Sequence, residues 1–234
     1  MDFSSVWSQW PLLLDGCRIT LQLVFVSAGC GLLLALPLGL MRLSRQRRLR
    51  WLAGAYVGLF RGTPLLVQIF LVYYGLAQFE LVRSSLLWPL LQQPYWCAII
   101  ALTLNTAAYS AEIVRASIAA IPVGEVEAAR ALGLSGLLLG RYIVLPRALV
   151  LGLPAYGNEL VLMLKGSALA STITLLDLTG AARTIIAGNF RPVETFAVAG
   201  LIYWSLAWLI GLGLAQLERR LQPPSASSSA SAAK

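Results

Sequence analysis

Histidine is absent from all 234 residues, and with it go the commonest general base and the commonest side-chain metal ligand. Cysteine occurs only as Cys17, Cys30 and Cys97, each alone and in or beside an apolar run, which suits small membrane-buried residues rather than a disulfide framework. Cys, Asp and Glu nowhere cluster with metal-ligand spacing, so neither a metal centre nor a catalytic site is expected. Charge is scarce too: Asp, Glu, Lys and Arg together make up 12% of the chain, against about 25% in a soluble domain. A Gly-x-x-x-x-Gly-Lys-Ser/Thr phosphate loop is missing, so the chain is expected to bind no ATP and no other cofactor itself. The first residues carry Asp2 and Asp15 without a basic stretch, unlike a cleavable signal peptide.

The chain is instead 58% hydrophobic, with a mean hydropathy of +0.75. Its apolar runs are continuous rather than alternating with period two, which sets a β-barrel aside. The expected fold class is an all-α polytopic membrane protein with about five transmembrane helices, since several runs reach the roughly 20 residues of a bilayer crossing. Spans are expected near 19–41, 51–79, 95–117, 148–165 and 193–217. Residues 1–18 then form an outer segment and 19–217 the transmembrane domain, with a loop at 118–147. Residues 218–234, rich in Ser and Ala towards the end, form a disordered tail. The second span should break at Arg61-Gly62-Thr63-Pro64, because proline lacks a donor and disfavours helix at the residue before it. Residues 80–93 read as a short outer loop, and 166–192 as an outer loop or re-entrant helix.

A net charge of +8 would suit nucleic acid if it were spread over a soluble surface, but its distribution argues otherwise. Arg42, Arg45, Arg47, Arg48 and Arg50 crowd between the first two apolar segments, where arginine acts as an orientation signal for the cytoplasmic side. With the N-terminus outside, Arg130, Arg141, Arg147, Arg219, Arg220 and Lys234 also fall inside, against Arg18, Arg83, Lys165, Arg183 and Arg191 outside. The asymmetry places the C-terminus and the 118–147 loop in the cytoplasm.

That loop is a polar island in an apolar chain. Pro122 suits a helix start, and Glu125 and Glu127 are expected in a first turn, where the helix dipole favours anions. Ala128, Ala129 and Ala131 are strong helix formers. Gly133 suits the residue just past a helix end, Ser135 the cap of a second helix, and Pro146 an interruption before the fourth span. A short alanine-rich helix presents little bulk and can enter a groove on another protein.

Glu127-Ala128-Ala129, Gly133 and Ile143-x-Leu145-Pro146 together resemble the EAA loop of ABC importer permeases of the type I fold, matching at every fixed position and at both gaps. Phe60-Arg61-Gly62-Thr63-Pro64-Leu65, Leu102-Thr103-Leu104-Asn105-Thr106-Ala107-Ala108-Tyr109, Asn158-Glu159 and Ala168-Leu169-Ala170-Ser171-Thr172-Ile173-Thr174 are similar to the polar amino acid branch, most of all to the M-type subunit of histidine/lysine/arginine/ornithine and opine importers. The resemblance implies a multi-pass permease of the bacterial inner membrane. Its expected partners are cytoplasmic ATPase subunits that hold the ATP, a second permease (a sister chain), and a periplasmic solute-binding protein. Glu127, Ala128, Ala129, Gly133, Ile143, Leu145 and Pro146 would form the coupling element that docks on the ATPase. The implied cargo is a polar, basic amino acid or an opine. The alternative is a secondary transporter driven by an ion gradient, which would commonly show internal repeats; none is visible.

Polar residues inside spans point to the substrate path, because burying them in lipid is costly. Asn105, Glu112, Asn158 and Glu159 are the candidates. Glu159 lies near Pro154 and Gly157, which permit irregular backbone at a cavity, and its carboxylate would suit a cationic or zwitterionic amino acid. Asn158 and Glu159 equally suit hydrogen bonds between helices. Glu112 and Arg115 suit an i,i+3 pair, and Arg61 is expected to snorkel to the headgroups.

Overall fold

The computed structural model describes residues 4–221, so of the expected tail only 218–221 are covered, and these continue the last helix. No strand occurs among the described residues. In chain order the helices are α1 (Ser4–Trp7), α2 (Trp10–Leu43), α3 (Arg47–Gly62), α4 (Leu65–Phe70), α5 (Glu80–Arg83), α6 (Trp88–Leu91), α7 (Pro94–Ala119), α8 (Val123–Ala131), α9 (Gly136–Leu139), α10 (Leu145–Ser167), α11 (Leu178–Asn189) and α12 (Pro192–Leu221). Among the described residues, four continuous helical stretches are long and apolar enough to cross a membrane: Trp10–Leu43, Pro94–Ala119, Gly136–Ile173 and Pro192–Leu221. Arg47–Gly62 and Leu65–Gln78, bent by 103° at the break between them, together make a fifth.

The first span is longer than expected, since α2 begins nine residues before Ile19. The break at Pro64 is where the sequence puts it. Proline has no N–H to give the carbonyl four residues back, so the Phe60 oxygen loses its helical partner. Two side-chain amides replace that partner: Gln68 Nε2 donates to Phe60 O at 2.8 Å and Asn105 Nδ2 to the same oxygen at 3.4 Å.

Pro146 behaves differently. No interruption occurs there; a π-turn at Gly140–Val144 precedes it, closed by Leu145 N donating to Gly140 O. The five-residue spacing carries the chain past the missing donor, so α9 and α10 run as one span. Pro154 and Gly157 likewise leave α10 helical. Gly157 packs against Leu214 of α12, where a Cβ would stand 3.0 Å from Cδ1, so no irregular backbone opens at that point.

The body is built on α2 and α7, which lie parallel: Ser27 Oγ donates to Ile99 O, Gly31 faces Thr103 and Thr106, and Gly39 faces Ala111 and Val114. Helix α10 runs back antiparallel, setting Glu159 beside Thr106 and Gly152 beside Ser117. The main core gathers Leu23, Val24, Ile69, Leu102, Leu164 and Ile173. Residues 166–192, expected as an outer loop or a re-entrant helix, hold a partly buried helix of 12 residues, shorter than a span. A 3₁₀ stretch, Ala168–Ile173, leads to Thr174 at φ 64° and then to α11. Asp177 caps α11 by accepting from the Thr179 and Gly180 amides, and Leu178 N donates to Thr20 Oγ1 of α2 at 3.0 Å. This topology brings the arginine-rich turn 42–50, the 120–135 loop and the end of α12 to one end of the bundle.

Candidate functional site

At that end, α8 stands out from the body. Pro122 occupies its N-cap position, and Glu125, not Glu127, is the acid of its first turn. Glu127 falls one turn later because the helix starts at Val123. Glu127 and Ala128 are exposed while Ala129 is buried. Beyond α8 the chain makes a Schellman ending: Gly133 N donates to Arg130 O at 2.9 Å and Leu134 N to Ala129 O at 3.0 Å. Gly133 sits at φ +84°, and a Cβ there would meet nothing. Its glycine is therefore demanded by backbone conformation, not by space. Replacing it with alanine should cost about 1–2 kcal/mol of local order, and asparagine less; faster amide exchange in 128–134 than in wild type is the check.

Helix α8 packs on the π-turn that holds Ile143, while Leu145 and Pro146 are exposed one turn further on. The Ser135 side chain makes no cap bond, although it stands at the N-cap of α9. A brace ties the loop to the span: Arg147 Nε donates to Glu125 Oε2 at 2.6 Å and Arg147 Nη2 to Oε1. The Arg147 hydrogen bond holds the Glu125 carboxyl below its usual range. A lowered carboxylate pKa means that the contribution is present above the unfolded value and lost as pH falls through the folded one. The loop should thus stay braced at neutral pH and loosen only under acid below the ordinary carboxylate range, and Arg147→Ala should abolish that pH dependence of loop proteolysis.

Exposed apolar side chains surround the loop, with Val123, Leu132, Leu137 and Tyr142 all open to the outside. Exposed apolar side chains grouped in this way suit contact with another protein or with the bilayer.

Inside the bundle, three of the four intramembrane candidates lie on or against α7. Asn105 Nδ2 donates to Gln68 Oε1 at 2.9 Å. Buried Glu159 accepts from Thr106 Oγ1 at 3.0 Å. Glu112 forms the i,i+3 pair, taking Arg115 Nε at 2.6 Å, and also lies 3.5 Å from Arg42 Nη2 on α2. Asn158 does not join them; it is exposed on the outer face of α10. Arg61 lies over the Tyr109 ring at 5.1 Å rather than extending freely. Gln68, Thr106 and Arg42 were not among the candidates. Gln68 carried a readable signal as an amide within an apolar segment, whereas Arg42 is a partner only because α2 and α7 are parallel.

The sequence from 29 to 223 matches the model of the family described as binding-protein-dependent transport system inner membrane component. The chain belongs to this family. The permease is 49% identical over 218 residues to the octopine transport system permease protein OccM of Rhizobium meliloti, spanning 93% of this chain and 89% of that protein. It is 40% identical over 206 residues to the histidine/lysine/arginine/ornithine transport system permease protein HisM of Salmonella typhimurium, spanning 88% of each. Its fold is similar to that in a crystal structure of an amino acid ABC transporter with histidines, at a TM-score of 0.84 and 37% identity over 94% of this chain and 99% of that one. The permease is thus a multi-pass membrane subunit of an ABC importer, a system that works with ATPase and substrate-binding partners. The ion-gradient alternative finds no support.

Proposed function

We propose that this permease carries a basic amino acid or an opine inward across the bacterial inner membrane, driven by ATP that its partners hydrolyse. The observation that carries this reading is α8: a short helix with Glu127 and Ala128 exposed, ended by a Schellman turn and ringed by exposed Val123, Leu132 and Leu137. It has the shape and surface of a helix that enters a groove on an ATPase. The arginine-rich end is then cytoplasmic, with the amino terminus outside. ATP sits on the ATPase and no cofactor on this chain. The second permease is a sister chain, and a periplasmic binding protein delivers the cargo. The cargo class rests on the names of the relatives, with the buried Glu159 carboxylate as a suitable partner for a cationic group.

Closure of the ATPases would move their grooves, and α8, braced through Glu125 and Arg147, would pass that movement to α10 as a rigid-body shift. The test is capture of the solubilised, tagged permease followed by mass spectrometry. An ATPase, a second permease and a binding protein are expected together, and Glu127→Lys with Gly133→Trp should release the ATPase while the permease pair persists. Capture of the chain alone, still driving uptake in vesicles without ATP, would overturn the reading.

A further inference from the structure

The turn between the first two spans holds more positive charge than its surroundings neutralise. Arg42, Arg45, Arg47, Arg48 and Arg50 lie within nine residues. Among the described residues the acid that reaches them is Glu112, 3.5 Å from Arg42 and already held by Arg115. Arg42, Arg47 and Arg50 line one open cavity of about 440 Å³, completed by Trp51, Gly54 and Ala55. Arg42 lies across the bare face of Gly54, where a Cβ would stand 2.9 Å from Nη1, and its Nε is buried without a hydrogen-bond partner.

Helix α3 starts at this cavity with its charges reversed from the usual preference. Its first turn has no acid, and Gln46 offers no side-chain cap. Arginines at the positive end of a helix dipole repel it, unless an anion lies between them and the free amides. Trp51 and Leu52 stand exposed beside the cavity, and tryptophan favours the headgroup level of a bilayer. A turn joining two spans must surface at that level whichever way the chain is oriented.

We propose that this cavity binds the phosphodiester of an anionic phospholipid, held by Arg42, Arg47 and Arg50, with Trp51 at the adjoining interface. The arginine turn then does more than orient the chain: it fixes one lipid between α2 and α3. This inference does not rest on the cargo, on the ATPase or on which side is cytoplasmic.

The test is equilibrium binding of fluorescent phosphatidylglycerol and phosphatidylcholine to the full-length chain in detergent micelles. Phosphatidylglycerol should bind preferentially. Arg47→Gln with Arg50→Gln should weaken it about 25-fold, about fivefold for each arginine lost near a membrane surface, and leave phosphatidylcholine unchanged. Arg47→Lys with Arg50→Lys, which keeps the charge, should retain most of the preference and shows that the fold survives. Arg219→Gln with Arg220→Gln, at the same end but outside the cavity, should change little. Equal losses in the two glutamine pairs would overturn the proposal in favour of diffuse surface charge. Complete displacement by inorganic phosphate at constant ionic strength would overturn it in favour of a free anion, and displacement by a purified ATPase partner in favour of a protein contact.

Discussion

Gly39→Leu should leave the chain in the membrane but destabilise its fold. Helices α2 and α7 meet along Ser27, Gly31, Ala35 and Gly39, one small residue per turn, all buried. Small residues at this spacing let two backbones approach closely in lipid, where dispersion and hydrogen bonds rather than the hydrophobic effect hold helices together. A Cβ on Gly39 would stand 2.9 Å from Ala111 O, a backbone atom that cannot rotate away. One on Gly31 would stand 2.3 Å from Thr106 Cγ2, and moving that methyl also turns the hydroxyl that serves Glu159. Overpacking of this kind costs about 1–3 kcal/mol, and more where backbone must part. Gly39→Leu should therefore lower the thermal midpoint of the detergent-purified permease by about 2–4 °C for each kcal/mol lost. Gly29→Leu is the control, because a Cβ there meets nothing. Equal midpoints for the two variants would contradict this account of the crossing.

Glu159→Gln should cut uptake about ten- to a hundred-fold, the effect of losing a hydrogen bond to a charged group worth about 1.5–3 kcal/mol, while the complex assembles normally. The substitution separates two roles that the burial of Glu159 leaves entangled. Glutamine keeps the size of the side chain and an oxygen that accepts the Thr106 hydroxyl, so a packing contact between α10 and α7 survives it. Only the negative charge goes. A carboxylate that meets a cationic cargo fails the exchange, whereas one that merely links helices passes it. Thr106→Val is the complementary variant: it removes the donor and keeps the charge, so a purely structural bond would show as lost stability with uptake per assembled complex preserved. Uptake and affinity retained by Glu159→Gln would reduce the residue to a helix contact.

Much of this was legible in the sequence, for reasons that differ from element to element. The Pro64 break could be read because its cause is local: a missing N–H and a restricted neighbour. The helix of the 118–147 loop and its glycine ending could be read because capping is also local, although the first turn fell one residue pattern away and so displaced Glu127. Pro146 was misread because the remedy, a π-turn five residues earlier, depends on how α10 packs rather than on any residue type. Thr174 and Phe190, both at positive φ, are residues whose left-handed backbone no propensity announces. They let α11 fold back onto α2 in the stretch expected as an outer loop or a re-entrant helix. The polar candidates Asn105, Glu112, Asn158 and Glu159 were singled out by their cost in lipid, and Asn105, Glu112 and Glu159 have polar partners on other helices. Their partners Gln68, Arg42 and Thr106 lie 37, 70 and 53 positions away and are fixed only by the crossing of helices.

The parallel pairing of α2 with α7 also dictates a timetable. Because two neighbouring spans in a chain run in opposite directions, α2 must wait for the third span, and Ser27 finds Ile99 only 72 residues later. Its Thr20 bond waits for Leu178, 158 residues on. At about 5–20 residues per second of synthesis, the 72 residues between Ser27 and Ile99 take roughly 4–14 s, during which the small-residue face of the first helix lacks its α7 partner. A ribosome stalled before residue 94 should leave a nascent chain whose α2 is threaded but lacks its α7 partner and is open to membrane proteases; release past residue 119, where α7 ends, should close that window. The exposure of the first helix to quality control should thus grow with the distance along the messenger between that helix and the third span.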